Sequence, residues 1–310
     1  MPCELCLNYA PIAIFAYRRV RHLEQTLRAL AACPEFAKSA VYVFSDGPAN
    51  GQAVADVAAV RRFLAENCTP NMTIVEAPGN LGLAASITYG VTQLCNEFGR
   101  VIVIEDDIIA APCLLTWFNR ALDQYQSESD VWQVSGFQFP VPEFRHRNQG
   151  VFLHLVTSWG WATWRRAWDR YDPDATGWQQ LRDDASLRDA FDLGGGYPHT
   201  KMLFDQMEGR IDSWAIRWRW SAFKAHGLAL YPPRTLVQNI GFDATATHTR
   251  YRWIKRLLQF RRTKIAASNE PCPELPLRVE GAVEDDKTVS RAIKSFRRLS
   301  NRLKTALAGA

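Results

Sequence analysis

Three carboxylates stand side by side at Glu105, Asp106 and Asp107, directly after the aliphatic run 101–104. Adjacent acids repel one another at neutral pH and shift each other's pKa values, so such a triplet persists where water screens it or a cation is held. Hard oxygen ligands suit Mg²⁺ or Mn²⁺, ions that keep coordination positions open for phosphate oxygens. A diphosphate leaving group needs that charge, because its departure leaves negative charge on oxygen. Past the triplet, Asp205, Asp212 and Asp243 are candidates for a general base, a group that contributes about 10²–10⁴-fold where a hydroxyl must lose its proton. Trp159, Trp161, Trp164 and Trp168 offer flat apolar rings of the kind that stack on the C–H faces of sugars. Trp161, Trp164 and Trp168 also lie at i, i+3 and i+7, the spacing of a helical core stripe.

The elements around these residues follow from periodicity. Val101 to Ile104 forms an apolar run without alternation, the pattern of a strand buried on both faces of a parallel sheet. That places the acids at the strand's C-terminal end, where open α/β sheets bind ligands. Similar runs at 12–16, 41–44, 72–75 and 131–134 predict further strands, and helical patterns separate them. Leu23, Leu27 and Leu30 share the face of one helix, and Asn80-Leu81-Gly82 leads into another that runs to about Asn96. Strands separated by helices at this spacing imply a mostly parallel, Rossmann-like sheet with right-handed crossovers. From about 138 the alternation gives way to Trp-rich and Asp-rich segments. The expected organisation is one unit over 1–250, with a regularly alternating half (10–137) and a Trp-rich and Asp-rich half (138–250). A basic tail follows over 251–310, with a linker at about 266–287.

Composition narrows the classes. The chain has 310 residues, 47% hydrophobic and 22% charged, enough to bury a large core. Seven scattered cysteines, an odd number, do not make a disulfide framework, and Cys3-x-x-Cys6 has no second half for a zinc site. No apolar stretch approaches the roughly 20 residues of a membrane span, and the N-terminus lacks the order of a secretory signal. A cytoplasmic location is therefore expected. The net charge of +5 divides unevenly: −4 over residues 1–249 and +9 over 250–310. Within that tail, Val289, Ile293, Phe296, Leu299, Leu303 and Leu307 share one helical face opposite six Lys and Arg residues. Such a helix can lie on an anionic bilayer at about 1 kcal/mol per well-placed cation, which predicts peripheral attachment to the inner face of the cell membrane. Docking on the body is the alternative. Nucleic acid is not an expected partner, since no recognised fold or aromatic-basic platform accompanies the charge.

In order along the chain, "APIAIFAYRR", "VFSDGP", "NLGLAASITYG", "VIVIEDDI" and "SWGWATWRRAWDRYD" resemble glycosyltransferases of the GT-A fold. The likeness is to family-2-like enzymes and to inverting N-acetylglucosaminyltransferases with an EDD motif, and it spans about 10–250. It implies an α/β nucleotide-diphospho-sugar transferase fold, a nucleotide-sugar donor with UDP favoured, a Mn²⁺ or Mg²⁺ ion, and a glycan or lipid-linked acceptor. Carried over by position, Asp107 ligates the metal, Asp106 faces the donor's ribose or sugar, and Glu105 supports the site. Asp46 accepts the imide N–H of uracil, Arg18 contacts phosphate or nucleotide, and Asn80 and Gly82 shape the loop beside the ribose. Asp212, in "IDSWAIRW", takes the place of the general base, and His248, closing "NIGFDATATH", sits near metal and diphosphate. Ala246 stands where that motif has glycine. Trp159 and Trp161 are expected to border the donor sugar. The alternatives are a sugar nucleotidyltransferase, disfavoured because "AIFAYRRVRH" lacks a glycine, and a non-catalytic binding module.

Overall fold

The computed structural model describes residues 9–144, 146–242 and 270–308, with side chains to 295 in the last stretch. Strands β1 (Ile12–Ala16), β2 (Val41–Ser45), β3 (Met72–Glu76) and β4 (Arg100–Glu105) are parallel neighbours in the order β3-β2-β1-β4. Three helices connect them: α1 (Val20–Ala31), α2 (Val54–Glu66) and α3 (Leu83–Phe98). The apolar runs form these strands because helices cover both faces of the sheet and every residue of β1 is buried.

After a turn at Asp106 and Asp107, a short strand β5 (Ile108–Ala110) leads to α4 (Leu114–Gln124) and β6 (Val131–Ser135). Two strands then run against the common direction, β7 (Val151–Leu153) and β8 (Trp161–Trp164). The helices α5 (Arg165–Trp168), α6 (Gln180–Asp183), α7 (Ala185–Phe191), α8 (His199–Met207) and α9 (Trp214–Lys224) precede β9 (Leu228–Tyr231) and β10 (Val237–Asn239). The sheet order is β3-β2-β1-β4-β8-β6-β9-β7, with six strands running one way, and β10 pairs antiparallel with β5 beside the mouth.

Two cores flank this sheet. On one face, Leu23 and Leu30 of α1, Val60 and Leu64 of α2, and Leu114 and Phe118 of α4 cover the strands. On the other, Ile87, Val91 and Leu94 of α3 meet Trp214 and Trp218 of α9. The tryptophan stripe at 161, 164 and 168 is not helical throughout. Trp161 and Trp164 belong to β8, which inserts antiparallel between β4 and β6, and only Trp168 lies in the one-turn helix that follows. A strand buried on both faces shows no alternation, so its apolar residues fall at any spacing.

The tail helix, α10 (Ala282–Ala308), begins six residues before Thr288. Its first turns dock on the body: Arg147 pairs with Asp285 at 2.8 Å, His154 with Asp286 at 2.6 Å, and Ser290 donates to the Leu193 carbonyl. Val289 and Ile293, the first positions of the apolar stripe, are buried in the second core. Upstream, in the stretch expected as a linker, Gly150 donates its N–H to the Glu274 carbonyl, Leu275 is buried, and Gln124 bonds the Pro276 carbonyl. The apolar stripe of α10, with Asp285 and Asp286 beside it, therefore borders protein in its first turns. No helix among the described residues is long and apolar enough to cross a membrane.

Candidate active site

β1 ends between two acids. The N–H of Asp46 donates to the Ala16 carbonyl, and that of Asp106 to the Phe15 carbonyl. Asp46 follows β2 and Asp106 follows β4, so the two flank the C-terminal end of β1 about 10 Å apart, two strand spacings.

On the β4 side, Asp106 and Asp107 converge on one cation, the guanidinium of Arg19. Its Nη2 lies 2.8 Å from Asp107 Oδ2 and also bonds Asp106 Oδ1. All three groups are largely withdrawn from solvent, the Asp106 and Asp107 side chains at 6% and 10% exposure. Burial works against a charged Arg19, but Asp106 and Asp107 outweigh it and hold the guanidinium more firmly protonated. Burial raises the Glu105 carboxyl well above the usual range, and the charges of Asp107 and Asp106 push it the same way. Asp106 is raised too, by burial, with Arg19 pulling against that. Backbone bonds fix the acids: Thr26 Oγ1 donates to the Asp106 carbonyl at 2.8 Å, and Ile240 N–H donates to that of Asp107 at 2.9 Å. Asn239 Nδ2 reaches Asp107 Oδ1 at 3.3 Å. A Cβ at Gly241 would come within 2.0 Å of Asp107 Oδ2, so a side chain there must displace that carboxylate.

On the β2 side, Asp46 organises the 80–82 loop. Its Oδ1 accepts from Gly47 N and Leu81 N at 2.8 Å, and its Oδ2 from Asn80 Nδ2 at 2.9 Å and Gly82 N at 3.0 Å. Four donors fill the acceptor sites of a carboxylate, so accepting a uracil imide N–H would require releasing one of them. Gly82 has φ +79°, which glycine adopts without strain, and starts α3. A Cβ on it would lie 3.3 Å from Asp212 Oδ2, which places that carboxylate against the same loop.

Asp212 is 60% exposed, with Arg217 3.8 Å away, and the cap of α9 is Ser213 rather than Asp212. The rival Asp205 is paired with Lys201 and Arg210, whose hydrogen bonds hold its carboxyl below the usual range, making it a poorer base.

The structure thus brings Asp46, Asn80, Gly82 and Asp212 together, and Asp106 with Asp107. Arg18 points outward over the Tyr17 ring, and the arginine on the acids is its neighbour Arg19. Successive side chains at a helix start diverge, and no signal in an Arg-Arg pair says which turns inward. Trp161, expected at the sugar, is fully buried and stacked on Trp214 at 5.1 Å. Trp159 is partly exposed between Phe137 and Phe242. His248 and Asp243 lie outside the described residues. Asn239 and Gly241 were not singled out in the sequence, although both lie in the segment that ends at His248.

The profile of the family described as glycosyltransferase like family 2 matches residues 10–189. The chain belongs to that family, its architecture is the GT-A arrangement, and it is a glycosyltransferase. Among solved structures, it is similar to a mannosyltransferase from Pyrobaculum calidifontis in complex with GDP-Man and Mn²⁺. Identity is 15%, with 100% of this chain and 79% of that one covered, at a TM-score of 0.40. It is also similar to the galactosyltransferase LgtC in complex with donor and acceptor sugar analogues, at 12% identity over 94% and 95% of the chains and a TM-score of 0.38. A third is mouse xyloside xylosyltransferase 1, at 10% identity over 70% and 82% and a TM-score of 0.32. No curated protein matches the sequence.

The acids fit a divalent cation. They are hard oxygen donors, they converge on one point, and Arg19 already stands there as a cationic group. Among the described residues no three potential ligands come together. A cation held by Asp106 and Asp107 would keep positions for diphosphate oxygens or water.

Proposed function

We propose that the chain is a metal-dependent, inverting transferase that moves a hexosyl or N-acetylhexosaminyl group from a nucleotide-sugar, UDP-sugar favoured, to a glycan or lipid-linked acceptor. The observation that carries this reading is the convergence of Asp106 and Asp107 on a single cationic group at the C-terminal mouth of the sheet. Mn²⁺ or Mg²⁺ bound by these two acids supplies positive charge to the departing diphosphate. Arg19, adjacent to both acids, presents a guanidinium suited to phosphate oxygens. Asp46 holds the 80–82 loop beside the nucleotide, and the N-terminus of α3 adds favourable partial charge there. Asp212 is the general base. It takes the proton of the acceptor hydroxyl as that oxygen bonds the anomeric carbon on the face opposite the leaving diphosphate, and the sugar–phosphate C–O bond breaks. Its exposure leaves the carboxylate open to an incoming acceptor. Trp159 borders the sugar, and His248 is a further metal ligand by resemblance.

Calorimetric titration of UDP and GDP, with and without Mn²⁺, into wild type and Asp107→Ala tests this. UDP binding that needs both the metal and Asp107 is expected. In the same series Asp212→Asn should keep UDP binding while turnover of a UDP-sugar falls about 10²–10⁴-fold. Nucleotide binding indifferent to Mn²⁺ and to Asp107→Ala would overturn the metal-dependent reading.

A further inference from the structure

A cleft of about 570 Å³ opens between α10 and the body, and it shares no lining residue with the acidic mouth. Ala190, Leu193 and Phe223 give it an apolar side. Arg219, Lys287, Arg291 and Lys294 line it with positive charge against a single acid, Asp286. That acid is already engaged, since its two oxygens meet the backbone N–H and the Nδ1 of His154 at 3.0 and 2.6 Å.

Arg219 is 3% exposed. Its Nη1 donates to the His154 carbonyl and its Nη2 to the Phe191 carbonyl at 3.4 Å, but its Nε has no partner. The rings of Phe191 and Phe223 lie 5.4 and 5.5 Å from the guanidinium carbon. Among the described residues no carboxylate forms an ion pair with it. Burial pulls its pKa down to about 10, so the group remains charged at neutral pH. The charges of Asp286 and Asp192 support it only from beyond ion-pair contact, and an anion entering the cleft adds to that compensation. Lys294 is poised for the same purpose. Its Nζ lies 3.0 Å from where a Cβ at Gly194 would sit, so the glycine leaves room for the ammonium.

We infer that this cleft binds a phosphomonoester bearing an apolar group. The phosphoryl oxygens accept from Lys294, the Arg219 guanidinium adds positive charge behind them, and the apolar group covers Ala190, Leu193 and Phe223. A phosphomonoester carries about −1.5 to −2 charge at pH 7 and presents three acceptor oxygens, which suits several cations around one acid better than a monoanion does. Because α10 forms one wall of the cleft, the bound ligand fastens the tail helix to the body. The inference stands on this cleft alone and does not depend on the donor site.

The test is calorimetric titration of the full chain with inorganic phosphate and with n-octyl phosphate, comparing wild type, Lys294→Gln, Ala190→Phe and Asp107→Ala. The side chains of Lys294 and Ala190 reach solvent, so neither substitution endangers folding. n-Octyl phosphate should bind at least about tenfold tighter than inorganic phosphate, through burial of its chain. Lys294→Gln should weaken both about tenfold, the effect of one charge-assisted contact. Ala190→Phe should weaken the octyl ester, and Asp107→Ala should change neither. Sedimentation with phosphatidylcholine vesicles carrying phosphatidic acid separates two sources of the same chemistry. Capture that requires Lys294 assigns a membrane lipid, whereas tight n-octyl phosphate binding without capture assigns a soluble ester. Absence of binding, binding indifferent to Lys294→Gln, or binding lost in Asp107→Ala would overturn the inference.

Discussion

Two arginines, 200 positions apart, are withdrawn from water in this molecule, and their surroundings are opposites. Arg19 sits on Asp106 and Asp107 at the mouth of the sheet. Arg219 lies under α10 with carbonyls and aromatic rings around it and no carboxylate in ion-pair contact among the described residues. At the mouth two anions share one cation, so the site can gain a further positive charge or exchange the one it has. In the cleft a cation is fixed in advance of any anion. Buried charge is tolerated only when something compensates it; the mouth carries its compensation in the chain, and the cleft leaves it to a ligand.

The largest expected effect breaks the mouth. Arg19→Gln leaves two close carboxylates uncompensated and should cost about 3–5 kcal/mol of stability without metal. Mn²⁺ should restore much of that loss if the acids accept a divalent cation, as thermal unfolding with and without the ion will show. The matching change in the cleft, Arg219→Met, removes a charge that has no partner acid. It should cost less, about 1–3 kcal/mol for the carbonyls left unpaired, with no response to Mn²⁺.

A smaller effect sharpens the picture of the mouth. Gly241→Ala drives a Cβ against Asp107 Oδ2, and moving a ligand's support should weaken Mn²⁺ binding about 10–100-fold by calorimetry.

A further effect concerns His199, beside the cleft, and shows only as pH falls. Burial, with the charge of Arg219 adding to it, lowers its pKa from 6.5 to about 3, while Nδ1 bonds the Phe191 carbonyl. A histidine kept neutral in the folded state contributes stability that is present above 6.5. That contribution is lost as pH falls, because the unfolded chain takes up the proton first. Between pH 6.5 and about 4.5 the loss should be about 2–3 kcal/mol, at about 1.4 kcal/mol per unit. Urea unfolding at the two pH values should show His199→Gln with a correspondingly shallower slope; an equal slope would mean that the imidazole does protonate in the folded protein.

The mouth was more legible in the sequence than the cleft. Val101 to Ile104 followed by three acids, and "FSDGP" after an apolar run, are local patterns whose period and turn residues state where a parallel strand ends. The structure places Asp46 and Asp106 at those ends. Arg19 was not distinguishable from Arg18, because which side chain of a pair turns inward depends on how α1 leaves the sheet. Trp161 carried the composition of a sugar platform and the spacing of a helical stripe, yet it became a core strand residue. Its neighbours Trp214 and Trp218 come from more than 50 positions downstream.

What the sequence by itself determined is the strand–helix alternation over the first half, the acids at strand ends, and the amphipathic character of the tail. These are short-range properties, set by side-chain period and by turn chemistry within a few residues. Only the tertiary structure decided that Asp46 would be filled by the 80–82 loop, that Asp212 would stand against Gly82, and that Val289 and Ile293 would face the body. Each of those depends on contacts between segments far apart in the chain, where burial and the pairing of charge select among partners that the local pattern leaves equivalent.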